Sequence, residues 1–147
     1  MASSAHQQWP DTSMRAYVWD RCLLLQARTL VVDRRQRPYK RLSATIIVAN
    51  RRPFILTVSG GPGREHQGVV IAPNVTREYI EAVDSDVTFL DAGITTAAYR
   101  DLEPHLVTAQ ARSLTAEELA RIQPSTRPPP GVYPWAPIPV RSRTPHG

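Results

Sequence analysis

From residue 15 to residue 93 the chain alternates short apolar runs with polar turns, the pattern of brief strands. The runs fall at residues 16–19, 22–33, 43–49, 53–59, 68–72, 78–83 and 86–91. Asn50-Arg51-Arg52, Pro73-Asn74 and Asp84-Ser85 mark turns between them, and the glycine-rich stretch from Ser59 to Gly68 predicts a loop. Pro53 suits the first residue of a strand, where its missing N–H does least harm. Short strands with turn signals roughly every 8–12 residues predict a mainly β domain, an antiparallel sandwich or barrel, rather than alternating strands and helices.

Helix is predicted only afterwards. Thr115 and Glu118 have the spacing of a capping box, with Leu114 and Leu119 placed as its hydrophobic staple. Glu117 and Glu118 then sit at the positive end of the helix dipole and Arg121 at the negative end, and Pro124 stops the helix after about two turns. A helix so short is marginal in water, so Leu119 and Ile122 must pack on the β domain or on a second subunit. An earlier helical turn is expected over residues 95–102. Eight of the 14 prolines fall from Pro124 onward, which predicts polyproline II or an irregular tail. Through Tyr133 and Trp135 that tail either lies on its own domain or enters a groove on a protein partner. The chain thus divides into a leader (residues 1–13), a β domain (14–102), a helical segment (103–124) and a proline-rich tail (125–147).

The length of 147 residues suits one domain with tails, and no apolar run approaches a membrane span. Without a signal-peptide pattern, and with Cys22 as the single cysteine, the reading is a cytoplasmic protein with a buried thiol. Up to Gly60 there are ten Lys or Arg against three Asp or Glu, and from Gly61 to Gln123 five against ten. Such a split serves self-association as well as nucleic-acid binding. Arg34, Arg35, Arg37, Lys40, Arg41, Arg51 and Arg52 cluster around Tyr39, where they could neutralise phosphates beside a stacking ring. No helix-turn-helix, zinc-finger or RNA-recognition signature accompanies them, and direct contact with DNA is not expected.

Chemistry-bearing motifs are sparse. The histidines His6, His66, His105 and His146 are scattered, with no metal-ligand spacing. No serine occupies a nucleophile elbow, and Gly60-Gly61-Pro62-Gly63 lacks the Lys and the helix of a phosphate cradle. Neither a metal nor another cofactor is expected, and enzymatic activity is the lesser expectation.

From Met14 to about Leu102 the chain resembles the N-terminal cupin-type sensor domain of AraC-type transcriptional regulators. The likeness rests on the opening MRAYVW and on GVVIAPNVTREYIEAVDSDVTFLDAG, with Val70 to Val75 as its most specific part. It implies a cupin-like double-stranded β-helix barrel followed by helices that commonly mediate dimerisation in that family. On that basis Leu114, Leu119 and Ile122 are the expected dimerisation residues of a homodimer. The chain departs from the family where metal-holding cupins carry histidines: the first region reads Arg37-Pro38-Tyr39-Lys40-Arg41, and the later position is Arg77. Strand alternation places Arg77 and Tyr79 on one face, and Tyr39 and Arg41 on another. If both faces line the barrel mouth, two guanidiniums and two phenols can hold a small anionic or polyhydroxylated ligand. Otherwise the arginines point to solvent or pair with Glu78, Glu81 or Asp84. The leading expectation is a metal-free, non-enzymatic ligand-sensing and dimerisation module. A metal-independent cupin enzyme of the sugar isomerase or lyase type, or an Arg-rich nucleic-acid binder, are the alternatives.

Overall fold

Eleven strands and two short helices are present in the computed structural model, which describes residues 13–106, 111–122, 127–135 and 138–139. The strands are β1 (Ser13–Trp19), β2 (Cys22–Ala27), β3 (Leu30–Asp33), β4 (Ala44–Ala49), β5 (Phe54–Val58), β6 (Arg64–His66), β7 (Gly68–Ile71), β8 (Arg77–Ala82), β9 (Val87–Ala92), β10 (Ala111–Ser113) and β11 (Ile138–Pro139). Helix α1 spans Ala97–Leu102 and α2 spans Ala116–Ile122. The expected leader, apart from its last residue, and Gln123 lie outside the described residues. The apolar run 22–33 breaks into two strands at Arg28-Thr29, and the glycine-rich stretch expected to be all loop contains β6.

The strands form two antiparallel sheets, not one closed barrel. Seven strands run in the order β10-β7-β4-β9-β2-β1-β11 and four in the order β3-β8-β5-β6. Within residues 22–92 the pairing is nested: β2 with β9, β3 with β8, β4 with β7 and β5 with β6. Each hairpin arm therefore crosses from one sheet to the other at a corner. The corners are bonded to each other: Asn50 and Arg51 donate their N–H groups to the carbonyls of Asp86 and Ser85, and Ser85 and Asp86 donate to that of Arg28. Arg28 and Arg51 both pair with Asp84, whose left-handed backbone (φ 52°) makes the corner tight. That end of the domain is stitched shut.

The seven-stranded sheet is the middle layer. On β4, Ile47 and Ala49 face the four-stranded sheet with Phe54, Leu56, Val69, Ile71 and Ile80. Ala44, Ile46 and Val48 face the other way, into a second core with Leu24, Val70 and Leu90 closed by Leu102, Leu114 and Ile122. Both faces being covered, all six residues of β4 are buried, which is why its sequence reads as a continuous apolar run.

The expected dimerisation residues form part of this second core. Leu114 and Ile122 are buried and Leu119 packs beside them, its side chain lying where a Cβ on Gly68 would be. Two turns of helix cannot persist alone, and here the chain's own sheet supplies the apolar surface. The segment 103–124 is likewise no separate unit, because β10 pairs with β7 at the sheet edge. In the tail, the Trp135 N–H donates to the Ala16 carbonyl and β11 pairs with the start of β1, so part of the proline-rich stretch lies along its own domain; Tyr133 and Trp135 remain largely exposed.

The capping box forms as expected, with Glu118 N–H donating to Thr115 Oγ1 (3.1 Å) and Thr115 N–H to Glu118 Oε1 (3.0 Å). Arg112 adds a two-pronged contact to the same carboxylate at 3.0 and 2.8 Å, and His105 Nδ1 lies 2.9 Å from it. Arg112, then the Thr115 N–H and His105, hold the Glu118 carboxyl well below the ordinary carboxylate range. A depressed folded-state value contributes stability above the unfolded value of about 4.3 and loses it as pH falls below that. Glu118→Gln is therefore expected to melt below the wild type at pH 7, and the gap to narrow at pH 3. Thermal melts followed by circular dichroism at both pH values would check this; a gap independent of pH would contradict it.

Candidate functional site

At the end of the domain opposite the stitched corners, the segment between β3 and β4 crosses the mouth between the sheets. Arg34 donates its N–H to the Glu78 carbonyl, Tyr39 and Arg77 exchange backbone hydrogen bonds, and Asn74 donates to the Arg41 carbonyl. Asn74 takes a left-handed backbone (φ 66°), which asparagine tolerates better than most residues. Beneath this segment lies a cavity of about 470 Å³. Its polar lining is Arg34, Arg37, Tyr39, Arg41, Arg77 and Asp91.

Arg77 is the deepest of these cations, its side chain only 8% exposed. It faces inward because β8 carries a bulge: Thr57 pairs with Tyr79, but Val58 pairs with Arg77, leaving Glu78 as the extra residue. The inserted residue shifts the alternation, so Arg77 joins Ile80 and Ala82 on the inner side. Tyr79 faces outward, its hydroxyl donating to Glu81 Oε1 (2.6 Å) and its ring 4.5 Å beneath the Arg35 guanidinium. Arg35 is in turn held by Asp33 at 2.7 Å. Arg77 and Tyr79 thus do not share a face, although Tyr79 contributes to the lining of a small adjoining cavity of about 30 Å³.

Arg77 Nη2 donates to Thr45 Oγ1 at 2.6 Å, and the Thr45 hydroxyl donates to Asp91 Oδ1. Thr45 and Asp91 are direct cross-strand neighbours on β4 and β9. Asp91 also lies 3.7 Å from Arg77 Nη1 and 3.3 Å from Arg41 Nη1. One carboxylate is therefore shared by two guanidiniums. Burial pushes the Arg77 guanidinium below its ordinary value, against the pull of Asp91. Arg77 Nε is buried and has no hydrogen-bond partner among the described residues. Arg41 stacks over the Tyr39 ring at 5.6 Å; the two lie outside the strands, Tyr39 in a single bridge to Arg77, so the contact does not come from strand alternation. Arg34 and Arg37 are exposed at the mouth and form no ion pair among the described residues.

Of the four expected ligand-binding residues, Tyr39, Arg41 and Arg77 line the cavity together and Tyr79 stands mainly outside it. Thr45, Asp91, Arg34 and Arg37 complete the site. Two of these left a trace in the sequence: Thr45 interrupts the apolar run of β4 and Asp91 that of β9, and a polar side chain inside a buried strand needs a partner. The pairing of Arg77 with Asp91 replaces its expected alternatives, solvent, Glu78, Glu81 or Asp84. Among the described residues no three His, Cys, Asp or Glu side chains converge as metal ligands. Nor is any helix among them long and apolar enough to cross a membrane. Compared with protein-family models, with curated proteins and with solved structures, the chain has no match.

Proposed function

We propose that this protein is a metal-free, non-enzymatic module that binds a small organic anion between its sheets. The observation that carries this reading is Arg77: a guanidinium buried at the base of a cavity, with one donor unpartnered and one shared carboxylate as counter-charge. Burying a cation costs several kcal/mol unless it is paired. Four arginines against one aspartate leave the lining with excess positive charge, and an anion entering it would relieve that excess. A cavity of this size falls within the roughly 300–1,000 Å³ range of small-molecule sites. The kinship proposed is with the cupin-type sensor domains of AraC-type regulators. The nested pairing of β2 through β9 supports it, being the strand order of a double-stranded β-helix. Dimerisation, if part of the function, would use a surface other than Leu114, Leu119 and Ile122.

Thermal denaturation with millimolar benzoate, citrate or decanoate, after EDTA treatment, tests the reading. At least one anion is expected to raise the melting temperature of the wild type, and Arg34→Ala/Arg37→Ala, which removes two solvent-exposed guanidiniums from the mouth, to weaken its binding by about tenfold or more. No stabilisation by any of the three would refute it.

A further inference from the structure

The cavity is graded from an apolar end to a cationic end, and the grading follows from strand register. Along β3 the lining passes from Leu30 and Val32 to Arg34; along β9, from Phe89 to Asp91; along β8, read backward, from Ile80 to Arg77. Val32 pairs with Ile80, and the Arg34 N–H bonds to Glu78, beside Arg77. Asp91 reaches Arg77 and Arg41. All three strands therefore change from apolar to charged in the same direction. Met14 and Leu25 complete the apolar end, Leu25 pairing with Phe89 across the ladder. Met14, Val32 and Phe89 pack against the inner core yet are only partly buried, and with the half-buried Leu25 they line the cavity.

We infer that the ligand of this site is an amphipathic acid, whose anionic head lies against Arg77, Arg41, Arg34 and Arg37 and whose apolar body fills the end lined by Met14, Leu25, Leu30, Val32, Ile80 and Phe89. The inference deepens the anion-binding reading and rests on it. A bare inorganic anion would satisfy the guanidiniums and leave the apolar lining in contact with water. A sugar would put hydroxyls against six apolar side chains that offer no partner. The volume equals that of about 15 waters at roughly 30 Å³ each, which accommodates a head group and an alkyl chain of about ten carbons.

Isothermal titration with acetate, hexanoate, decanoate and tetradecanoate, with inorganic phosphate and decyl phosphate alongside, tests it below the micellar range of each. Affinity is expected to rise up to fourfold per methylene, the equivalent of about 0.8 kcal/mol per buried CH₂, and to level off near ten carbons when the cavity is full. Val32→Thr should reduce that gain per methylene, whereas Arg34→Ala/Arg37→Ala should weaken every member of the series. Decyl phosphate compared with decanoate identifies the preferred head group, either result supporting an amphipathic acid provided both exceed phosphate. Binding of acetate or phosphate with no gain from chain length would overturn this inference and leave the anion site standing. If none of the six binds, the underlying reading falls as well.

Discussion

Asp91→Ala is expected to destabilise the protein by about 3–5 kcal/mol, the usual consequence of leaving one member of a buried ion pair without its partner. Arg77 would keep its neutral partners, the hydroxyls of Thr45 and Tyr39, while its guanidinium would remain buried without the carboxylate that balances its charge. Arg77→Met is expected to cost much less. It leaves Asp91 bonded to Thr45 and paired with Arg41, and it puts an unbranched apolar side chain in the same space. The asymmetry follows from the sharing of one carboxylate by two cations, of which only Arg77 is deeply buried; the Arg41 side chain is 41% exposed and can turn to solvent. Urea denaturation of both single variants and of Arg77→Met/Asp91→Ala completes a double-mutant cycle. The double variant should be more stable than Asp91→Ala alone. Equal costs for the two single variants, or strict additivity, would show that the pair is not coupled as its geometry requires.

The second large effect is on binding. Arg77→Met is expected to weaken decanoate by on the order of 100-fold, since a hydrogen bond to a charged group contributes about 1.5–3 kcal/mol and the variant removes a charge from the base of the site. Tyr79→Phe should stay within about twofold, because its hydroxyl is bonded to Glu81 on the outer side of β8. Direct titration of the two variants compares the bulged strand with a regular one. A strand without the extra residue Glu78 would give both side chains the same face, and both substitutions would then matter. A strong loss from Tyr79→Phe with little from Arg77→Met would overturn the placement of the site.

Residues with local signals were legible in the sequence. The capping box at Thr115 and Glu118 joins residues only three positions apart, and it forms as read. The strands at residues 43–49, 53–59 and 86–91 are apolar runs between turn residues, and each appears within a residue or two of its expected limits. Arg77 was legible through the resemblance, as the residue at the later histidine position, and Tyr39 and Arg41 as members of the basic cluster two positions apart. Tyr79 misled because alternation assumes an unbroken ladder. The bulge that breaks it depends on how β8 meets β5 and Tyr39, which are distant in sequence.

By itself, then, the chain's pattern determined a mainly β domain with antiparallel strands, a late two-turn helix with its cap, and a surplus of arginine around Tyr39, because turn chemistry, capping and charge act over a few residues. Only tertiary structure decided that the strands divide between two sheets, that Leu114, Leu119 and Ile122 face their own sheet, and that Asp91 stands against Arg77. Those outcomes depend on which long-range ladders form and which apolar faces they leave to be covered, and such pairings join residues dozens of positions apart through contacts that no local stretch encodes.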